Sequence, residues 1–393
     1  MSSYTAVYFL ALATFITFLS AQLMRPIVPL LAEELGAGGL DIASIGGSYM
    51  ILLSLFQIFT GALADRYGRR RVILLGASLA AMSSILCAYA SSWSHLLILR
   101  GLGGLADALV APSLLALVAE LGGERKGWAM GLFRSSQGLA FAVGPMVGGL
   151  LAKLFSLYAP IYLDFALTLL ALLLFALLPL PEGRRRPLSL PIRSLRLIRG
   201  DPNLLRVAVM GFSETFSFSA LASFLPAVVV MRGLREVEIA LLFSAEAAAF
   251  SSSSLIAGPL SDRYGRRRLM LLGLVSCALT TVALYPARGL GALLLLMILY
   301  GLSSSIIYLM SSTMAADLLP EEGRATLFGA FDAVMDLGLI VGPSFCLSAL
   351  KLTRWPLSSS FLIMPLPSIP ALILLLGMEE TRWRSQSSKS GEG

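Results

Sequence analysis

Long apolar stretches separated by short polar segments repeat along the whole chain. Twelve of them are roughly 17 to 30 residues long, the length of helix that crosses a bilayer core of about 30 Å. Six lie in the first half, at residues 4–23, 41–64, 72–90, 95–121, 127–153 and 158–178, and six in the second, at residues 203–231, 237–260, 269–285, 290–319, 325–350 and 356–376. We call these predicted membrane helices spans 1 to 12.

The composition favours an all-α integral membrane protein. Hydrophobic residues make up 57% of the chain, charged residues only 13%, and the mean hydropathy is +0.82, whereas about a quarter of the residues in soluble domains are charged. Cys87, Cys277 and Cys346 fall inside apolar stretches, and His95 is the only histidine. Because phosphate-binding loops, catalytic triads and metal-ligand spacings are also missing from the sequence, we expect no metal, no cofactor and no enzymatic activity.

The lysines and arginines predict how the chain is oriented. If the amino terminus is cytoplasmic, the inner segments carry 20 of these residues and the outer loops 7, which agrees with the excess of positive charge on cytoplasmic loops. We therefore expect a cell-membrane protein with both termini in the cytoplasm. The net charge of +7 then follows from topology, and nucleic acid is not an expected partner.

The spans divide into two predicted domains of six helices each, at residues 1–178 and 203–376. Between them, residues 179–202 form a cytoplasmic linker with six arginines, part of which is predicted to lie on the membrane surface. Residues 377–393 form a cytoplasmic tail. We expect a monomer surrounded by membrane lipids.

A short cationic segment occurs twice, once in each half. Residues 61–71 read GALADRYGRRR and residues 258–268 read GPLSDRYGRRR, and their aspartates, Asp65 and Asp262, are separated by 262 − 65 = 197 residues. Each copy lies between the second and third span of its half. The sequence therefore indicates a duplicated six-helix unit.

The two copies carry the pattern G-x-L-x-D-R-x-G-R-R, which resembles the loop between the second and third helices of the major facilitator superfamily. Its residues here are Gly61, Asp65, Arg66, Gly68, Arg69 and Arg70, and then Gly258, Asp262, Arg263, Gly265 and Arg266. The resemblance implies two six-helix bundles with a substrate cavity between them and transport by alternating access.

Two acids at the inner ends of spans 4 and 10 also lie 197 residues apart, Glu120 and Asp317. We expect Glu120 to pair with Arg69 or Arg66, and Asp317 with Arg266 or Arg263. The resemblance places Asp65 at the start of span 11, near Ala325, and by symmetry Asp262 at the start of span 5, near Gly127, where helix dipoles favour a carboxylate. These contacts predict a cytoplasmic gate. The alternative is that the arginines only set the topology and contact lipid phosphates.

Span 5 contains a glycine-rich motif that a shorter copy in span 11 repeats. Small residues at this spacing let helices approach closely, and the motif resembles a signature of proton-coupled drug antiporters; ordinary helix packing is the alternative. Its residues are Gly138, Gly144, Pro145, Gly148 and Gly149 in span 5, and Gly338, Gly342 and Pro343 in span 11.

Seven charged residues fall well inside the spans, where charge is costly and usually functional. They are Arg100, Arg134, Asp107, Glu214, Glu246, Asp332 and Asp336. Because acids outnumber bases, we expect some of the carboxyl groups to carry protons. All seven are candidates for contact with substrate or proton, and Arg100 resembles part of an element assigned to proton coupling in drug antiporters.

Three functions remain open at this point. The first is proton-coupled efflux (antiport) of lipophilic or cationic small molecules, with the proton as the coupling ion. The second is a symporter or uniporter for sugars or organic anions, with Arg25, Arg100 and Arg134 holding the substrate. The third is a sensor or lipid-handling protein that no longer transports.

Overall fold

The first half of the chain folds into seven helices. The computed structural model describes residues 3–178, 201–234, 236–319 and 324–381, and these ranges are helical, without β-strands. The helices are α1 Ser3–Leu23, α2 Ile27–Glu34, α3 Gly39–Tyr67, α4 Arg69–Cys87, α5 Trp93–Gly122, α6 Lys126–Leu154 and α7 Ala159–Leu177. A 3-10 turn, Gly123–Arg125, joins α5 to α6.

The second half also folds into seven helices. They are α8 Pro202–Met231, α9 Glu236–Tyr264, α10 Arg266–Ala283, α11 Leu290–Leu318 and α12 Arg324–Thr353, followed by a 3-10 turn, Leu357–Ser359, and by α13 Ser360–Ile363 and α14 Ser368–Leu376. Asp201 caps α8, since its carboxylate accepts hydrogen bonds from the backbone N–H groups of Asn203 (2.8 Å) and Leu204 (3.3 Å).

Each of the twelve predicted spans coincides with helix, so the all-α prediction is confirmed. The last span differs from a single helix, because Pro365 and Pro367 lie between α13 and α14. Proline has no N–H to donate and its ring crowds the preceding turn, so the helix is interrupted there. The predicted linker at residues 179–202 lies, up to residue 200, outside the described residues.

Length and hydropathy identify the helices that can cross a membrane. In the described part of the chain nine stretches qualify, and α3 adds a tenth if its two segments, which bend by 50°, count as one span. One stretch, Trp93–Leu154, contains both α5 and α6. Helix α10 is not among them, because it is only 18 residues long and three of these are arginines. The chain is thus a multi-pass membrane protein.

The helices form two compact units. Unit 1 contains the described residues within 1–122, 139–196 and 320–333, and unit 2 those within 123–138, 197–319 and 334–393. In unit 1, α5 packs on α3 and α4, and α7 packs on α4 and α1; in unit 2, α11 packs on α9, α10 and α8. The first part of α6 thus belongs to unit 2, and the first part of α12 to unit 1.

A glycine with a positive φ angle marks the same position in both copies of the duplicated segment. Gly68 separates α3 from α4 with φ = 97°, and Gly265 separates α9 from α10 with φ = 95°. Residues with a Cβ rarely adopt this conformation. At both positions the glycine therefore lets the chain reverse abruptly and start the next helix at the arginines that follow.

Candidate functional site

The carboxylate of Asp65, at the end of α3, lies at the amino terminus of α12. It accepts hydrogen bonds from the backbone N–H of Thr326 (2.9 Å), the Thr326 hydroxyl (2.6 Å) and the backbone N–H of Ala325 (3.4 Å). The first N–H groups of a helix have no partner within the helix, and its dipole favours a negative charge there. The expected contact near Ala325 is therefore present, within unit 1.

The arginines beside Asp65 divide between buried and exposed positions. Arg69 is buried and forms an ion pair with Glu120, which is one of the two pairings expected for this acid. Arg70 donates a hydrogen bond to the carbonyl oxygen of Ala176 on α7. Arg66 is exposed and stacks on Tyr67, with 5.2 Å from its guanidinium carbon to the ring centroid.

The second copy repeats the carboxylate contact in unit 2. Asp262 accepts hydrogen bonds from the backbone N–H groups of Gly127 (3.0 Å) and Trp128 (2.7 Å), at the start of α6. Gly127 was the expected neighbour. The duplicated aspartates thus cap duplicated helix ends.

Arg266 lies between two carboxylates. Its Nε is 3.0 Å from Asp317 Oδ2 and its Nη1 is 2.9 Å from Asp262 Oδ1. Lys126 adds a second cation, with Nζ 3.4 Å from Asp317 Oδ1. This cluster is almost fully buried, since the side chains of Arg266 and Asp317 are 2% and 3% exposed, whereas Glu120 in the first copy is 39% exposed. Arg263, the other pairing considered for Asp317, is exposed.

The second loop also binds the start of the predicted tail, which sequence reasoning missed. The Glu380 carboxylate accepts hydrogen bonds from the backbone N–H groups of Arg266 (2.8 Å) and Arg267 (3.1 Å), at the start of α10. The Thr381 hydroxyl lies 3.4 Å from Asp317 Oδ2. The signal in the sequence is Glu380 itself, an acid just after the last span.

Most glycines of the predicted packing motifs lie where another helix leaves no room for a Cβ. An added Cβ on Gly148 would meet the backbone of Leu23, and one on Gly149 would meet nothing within 4 Å. Crowded positions in the duplicated loops and in the motifs are Gly61, Gly258, Gly138, Gly144, Gly338 and Gly342. Pro145 and Pro343 lie inside α6 and α12. These glycines permit close helix contacts, as small residues do in membranes.

In unit 1, Tyr49 connects two of the predicted intramembrane charges. The Arg100 guanidinium carbon lies 4.7 Å from the centroid of the Tyr49 ring, and the Tyr49 hydroxyl donates a hydrogen bond to the Asp107 carboxylate. Arg100 and Asp107 are seven residues apart on α5, too far for direct contact in most rotamers. A tyrosine from α3 fills that gap, and no charge pattern in the sequence pointed to it.

Unit 1 also buries an acid that the sequence reasoning left out, Asp164 on α7. It is 5% exposed. The hydroxyl groups of Ser84 (2.6 Å) and Thr168 (3.3 Å) donate hydrogen bonds to its carboxylate. The signal was available, because Asp164 is an isolated acid inside span 6.

In unit 2, two glutamates are buried. Glu214 on α8 is 5% exposed and accepts a hydrogen bond from the Ser304 hydroxyl on α11 (2.6 Å). Glu246 on α9 is 6% exposed and is close enough to interact electrostatically with Glu214. No cation lies within 4 Å of the Glu214 carboxylate in the described part of the chain. The interior of unit 2 therefore holds acidic groups without direct ion pairs.

Arg134, on α6 in unit 2, is surrounded by aromatic and neutral polar groups. It is 2% exposed and donates hydrogen bonds to the Ser312 hydroxyl (2.5 Å) and to Gln137 Oε1 (2.8 Å). Its guanidinium carbon lies 4.1 Å from the centroid of the Tyr308 ring, and its Nε has no hydrogen-bond partner. Glu214 is its electrostatic neighbour.

The last two predicted charges, Asp332 and Asp336, lie one turn apart on α12 and are half-buried. The structure thus divides the seven candidates between the two units. Arg100 and Asp107 are joined through Tyr49, whereas Glu214 and Arg134 each contact a serine of α11, Ser304 and Ser312.

Helices that can span a membrane, two related halves with duplicated loops and charges buried in the spans define a multi-pass membrane protein with an internal duplication. The chain belongs to the Major Facilitator Superfamily, whose family model matches residues 10–250 and 207–392. This confirms the resemblance found in the loops. Members of this family are membrane transporters rather than enzymes.

Several relatives share part of the sequence. The chain is 29% identical over 231 residues to the multidrug efflux protein YfmO of Bacillus subtilis, covering 58% of this chain and 57% of that protein. It is 32% identical over 166 residues to the uncharacterized MFS-type transporter MJ1560 of Methanocaldococcus jannaschii (42% and 43% covered). It is 28% identical over 161 residues to the quinolone resistance protein NorA of Staphylococcus aureus, covering 41% of each. The matches to these three relatives span about half of their length.

Two solved structures share the fold over nearly the whole chain. The human organic anion transporter MFSD10 superimposes with a TM-score of 0.84 at 21% identity, covering 95% of this chain and 100% of that one. The fucose:proton symporter FucP of E. coli gives a TM-score of 0.82 at 13% identity, covering 97% and 100%.

Proposed function

We propose that this protein exports lipophilic or cationic small molecules in exchange for protons. The observation that carries the proposal is Glu214, which is 5% exposed, receives one hydroxyl hydrogen bond and has Glu246 as a second buried acid nearby. A buried carboxylate without a direct ion pair is costly unless it binds a proton or a cation. The proton and a cationic substrate would therefore compete for this acidic region, which is the basis of antiport. YfmO and NorA, named for multidrug efflux and quinolone resistance, support this direction.

The duplicated loops take the role of a cytoplasmic gate in this proposal. Asp65 and Asp262 bind helix amino termini, and Arg69 and Arg266 bind Glu120 and Asp317. We propose that these contacts form and break during alternating access. The protein would act as a monomer in the cell membrane, surrounded by lipids, with both termini in the cytoplasm, since the arginine-rich loops favour that orientation.

Ethidium accumulation in proteoliposomes tests the exchange. With an acidic lumen, protons that leave through the transporter would drive ethidium inwards. We expect E214Q to reduce ethidium uptake to the level of protein-free liposomes. The control is E33Q, because Glu33 is exposed at the end of α2. Equal ethidium uptake by wild-type protein and E214Q, or ethidium uptake that does not depend on the pH gradient, would refute the proposal.

A second candidate function is transport of organic anions, and Arg134 favours it. Its guanidinium group is 2% exposed, has an unpartnered Nε and lies against the Tyr308 ring. Such a group can hold a carboxylate through paired N–H donors. Benzoate uptake that needs no pH gradient, that R134Q abolishes and that R288Q leaves intact would select this function over efflux, because Arg288 is exposed between α10 and α11.

A further inference from the structure

Asp164 is a buried acid that the proposed exchange at Glu214 does not use. It lies on α7 in unit 1, where α7 packs against α4 and α1. Ser84 of α4 donates its hydroxyl hydrogen to Asp164 Oδ2 at 2.6 Å. Only 5% of Asp164 is exposed, so the carboxyl group depends on these neighbours for its polar contacts.

Among the charged and titratable groups around Asp164, acidic groups outnumber basic ones. Arg100 and Asp107 of α5 interact with it electrostatically, as do Tyr49 of α3 and Cys87 of α4. One arginine thus faces two carboxyl groups. In the described part of the chain no cation approaches Asp164 within 4 Å. Asp107 accepts a hydrogen bond from the hydroxyl of Tyr49, whose ring lies against Arg100, whereas the hydroxyl groups next to Asp164 are those of Ser84 and Thr168.

The Thr168 hydroxyl, one turn further along α7, has two acceptors within reach. Asp164 Oδ1 lies 3.3 Å from its oxygen and Ser20 Oγ of α1 lies 3.2 Å away. A hydroxyl group has one hydrogen and donates to one of them at a time. A charged Asp164 would attract that hydrogen, whereas a protonated Asp164 would leave it to Ser20. The contact between α7 and α1 can therefore change with the protonation of one carboxyl group.

We propose that Asp164 is a proton-binding site in unit 1, separate from Glu214 in unit 2, and that its protonation moves the Thr168 hydrogen bond between α7 and α1. The proton comes from water and binds a carboxylate oxygen of Asp164. When it leaves, it returns to water, and Arg100 remains as the cation that compensates the charge. This inference rests on the proposed proton-coupled transport for its role in the cycle, but the site itself is detectable without transport.

Infrared difference spectroscopy of the full-length protein in liposomes detects the site directly. On acidification, wild-type protein should gain a carboxyl C=O band that D164N lacks. S84A should keep this band but displace it, because the band responds to hydrogen bonds at the carboxyl group. The matched control is S83A, since Ser83 is the next residue on α4 and donates instead to the Leu99 carbonyl oxygen at 2.6 Å; it should leave the band in place.

Identical spectra for D164N and wild-type protein would overturn the inference. If D164N does not fold, the serine pair decides, and equal spectra for S84A and S83A would overturn it as well. Ethidium uptake measured in the same liposomes separates the two proposals. Absence of pH-driven uptake by wild-type protein refutes the exchange at Glu214, and absence of the Asp164 band refutes only the site in unit 1.

Discussion

Arg266 Nε lies 3.0 Å from Asp317 Oδ2, and both side chains are almost completely buried. The corresponding pair in the first half, Arg69 and Glu120, has the same sequence separation of 51 residues. The two copies differ in their surroundings, because Glu120 is 39% exposed whereas Asp317 also contacts Lys126. Duplication has therefore kept the pairing and changed its burial.

This difference predicts unequal losses of stability. D317N leaves Arg266 and Lys126 without one carboxylate in a buried cluster, and breaking a buried ion pair costs roughly 3 to 5 kcal/mol. E120Q leaves the buried Arg69 without its carboxylate, but Glu120 itself is 39% exposed to water, so the loss should be smaller, roughly 1 to 3 kcal/mol. Chemical unfolding in detergent micelles measures both free energies. Equal losses would show that burial does not set the strength of these pairs.

The Asp65 carboxylate predicts a transport defect without a folding defect. D65N keeps one acceptor oxygen at the start of α12 but removes the charge, which is worth about 1 kcal/mol near a helix terminus. This corresponds to roughly a fivefold shift in a two-state equilibrium, and we expect ethidium uptake to fall by about that factor with normal membrane insertion.

The control for D65N is D41N. Asp41 is also a capping carboxylate, accepting a hydrogen bond from the Gly38 N–H at 2.9 Å, but at the exposed start of α3. D41N should transport normally. Wild-type uptake by D65N would mean that the loop does not act as a gate.

Two adjacent glycines of α6 should respond differently to alanine. A Cβ on Gly148 would meet the backbone of Leu23, whereas Gly149 has open space. Overpacking costs about 1 to 3 kcal/mol, and alanine in an open helical position gains up to about 1 kcal/mol over glycine. Thermal unfolding in detergent should show a lower Tm for G148A and an unchanged or higher Tm for G149A. If the motif served only helix flexibility, G148A and G149A would lower the Tm by similar amounts.

Tyr49 should matter through its hydroxyl group. Y49F keeps the ring on which Arg100 stacks but removes the hydrogen bond to Asp107. Asp107 is half-buried, and removing the donor of a fully buried carboxyl group costs about 1 to 3 kcal/mol, so Y49F should be destabilised by up to that amount in micelles. Y89F is the control, because Tyr89 is 72% exposed at the end of α4. Equal stability of Y49F and wild-type protein would contradict the role of Tyr49 as a link between these charges.

The sequence predicted the spans and the pairings of Glu120 and Asp317 because both follow from linear features, whereas the contact of Asp65 with the start of α12 was implied by the family resemblance. Span length reflects bilayer thickness, and Glu120 and Asp317 repeat at the same offset as the aspartates of the loops. The sequence could not choose between Arg69 and Arg66, because that choice depends on how the end of α3 and the start of α4 pack against α5. Membrane helices are apolar all around, so their pattern does not separate the lipid-facing surface from the packed one.

The missed residues share a physical cause. Tyr49 is uncharged, so the pattern of intramembrane charges does not indicate it. Glu380 follows the last span, and the group that it contacts depends on how α14 packs. Asp164 was visible as an isolated acid in span 6, but its partners Ser84 and Thr168 are common residues whose proximity only the folded chain reveals.

Proton movement driven by the substrate is the most direct test of antiport. Proteoliposomes with a trapped pH dye start without a pH gradient, and ethidium is then added outside. We expect the lumen to become alkaline as ethidium enters and protons leave, and E214Q to show neither change. Ethidium entry through the wild-type protein at constant luminal pH would contradict antiport.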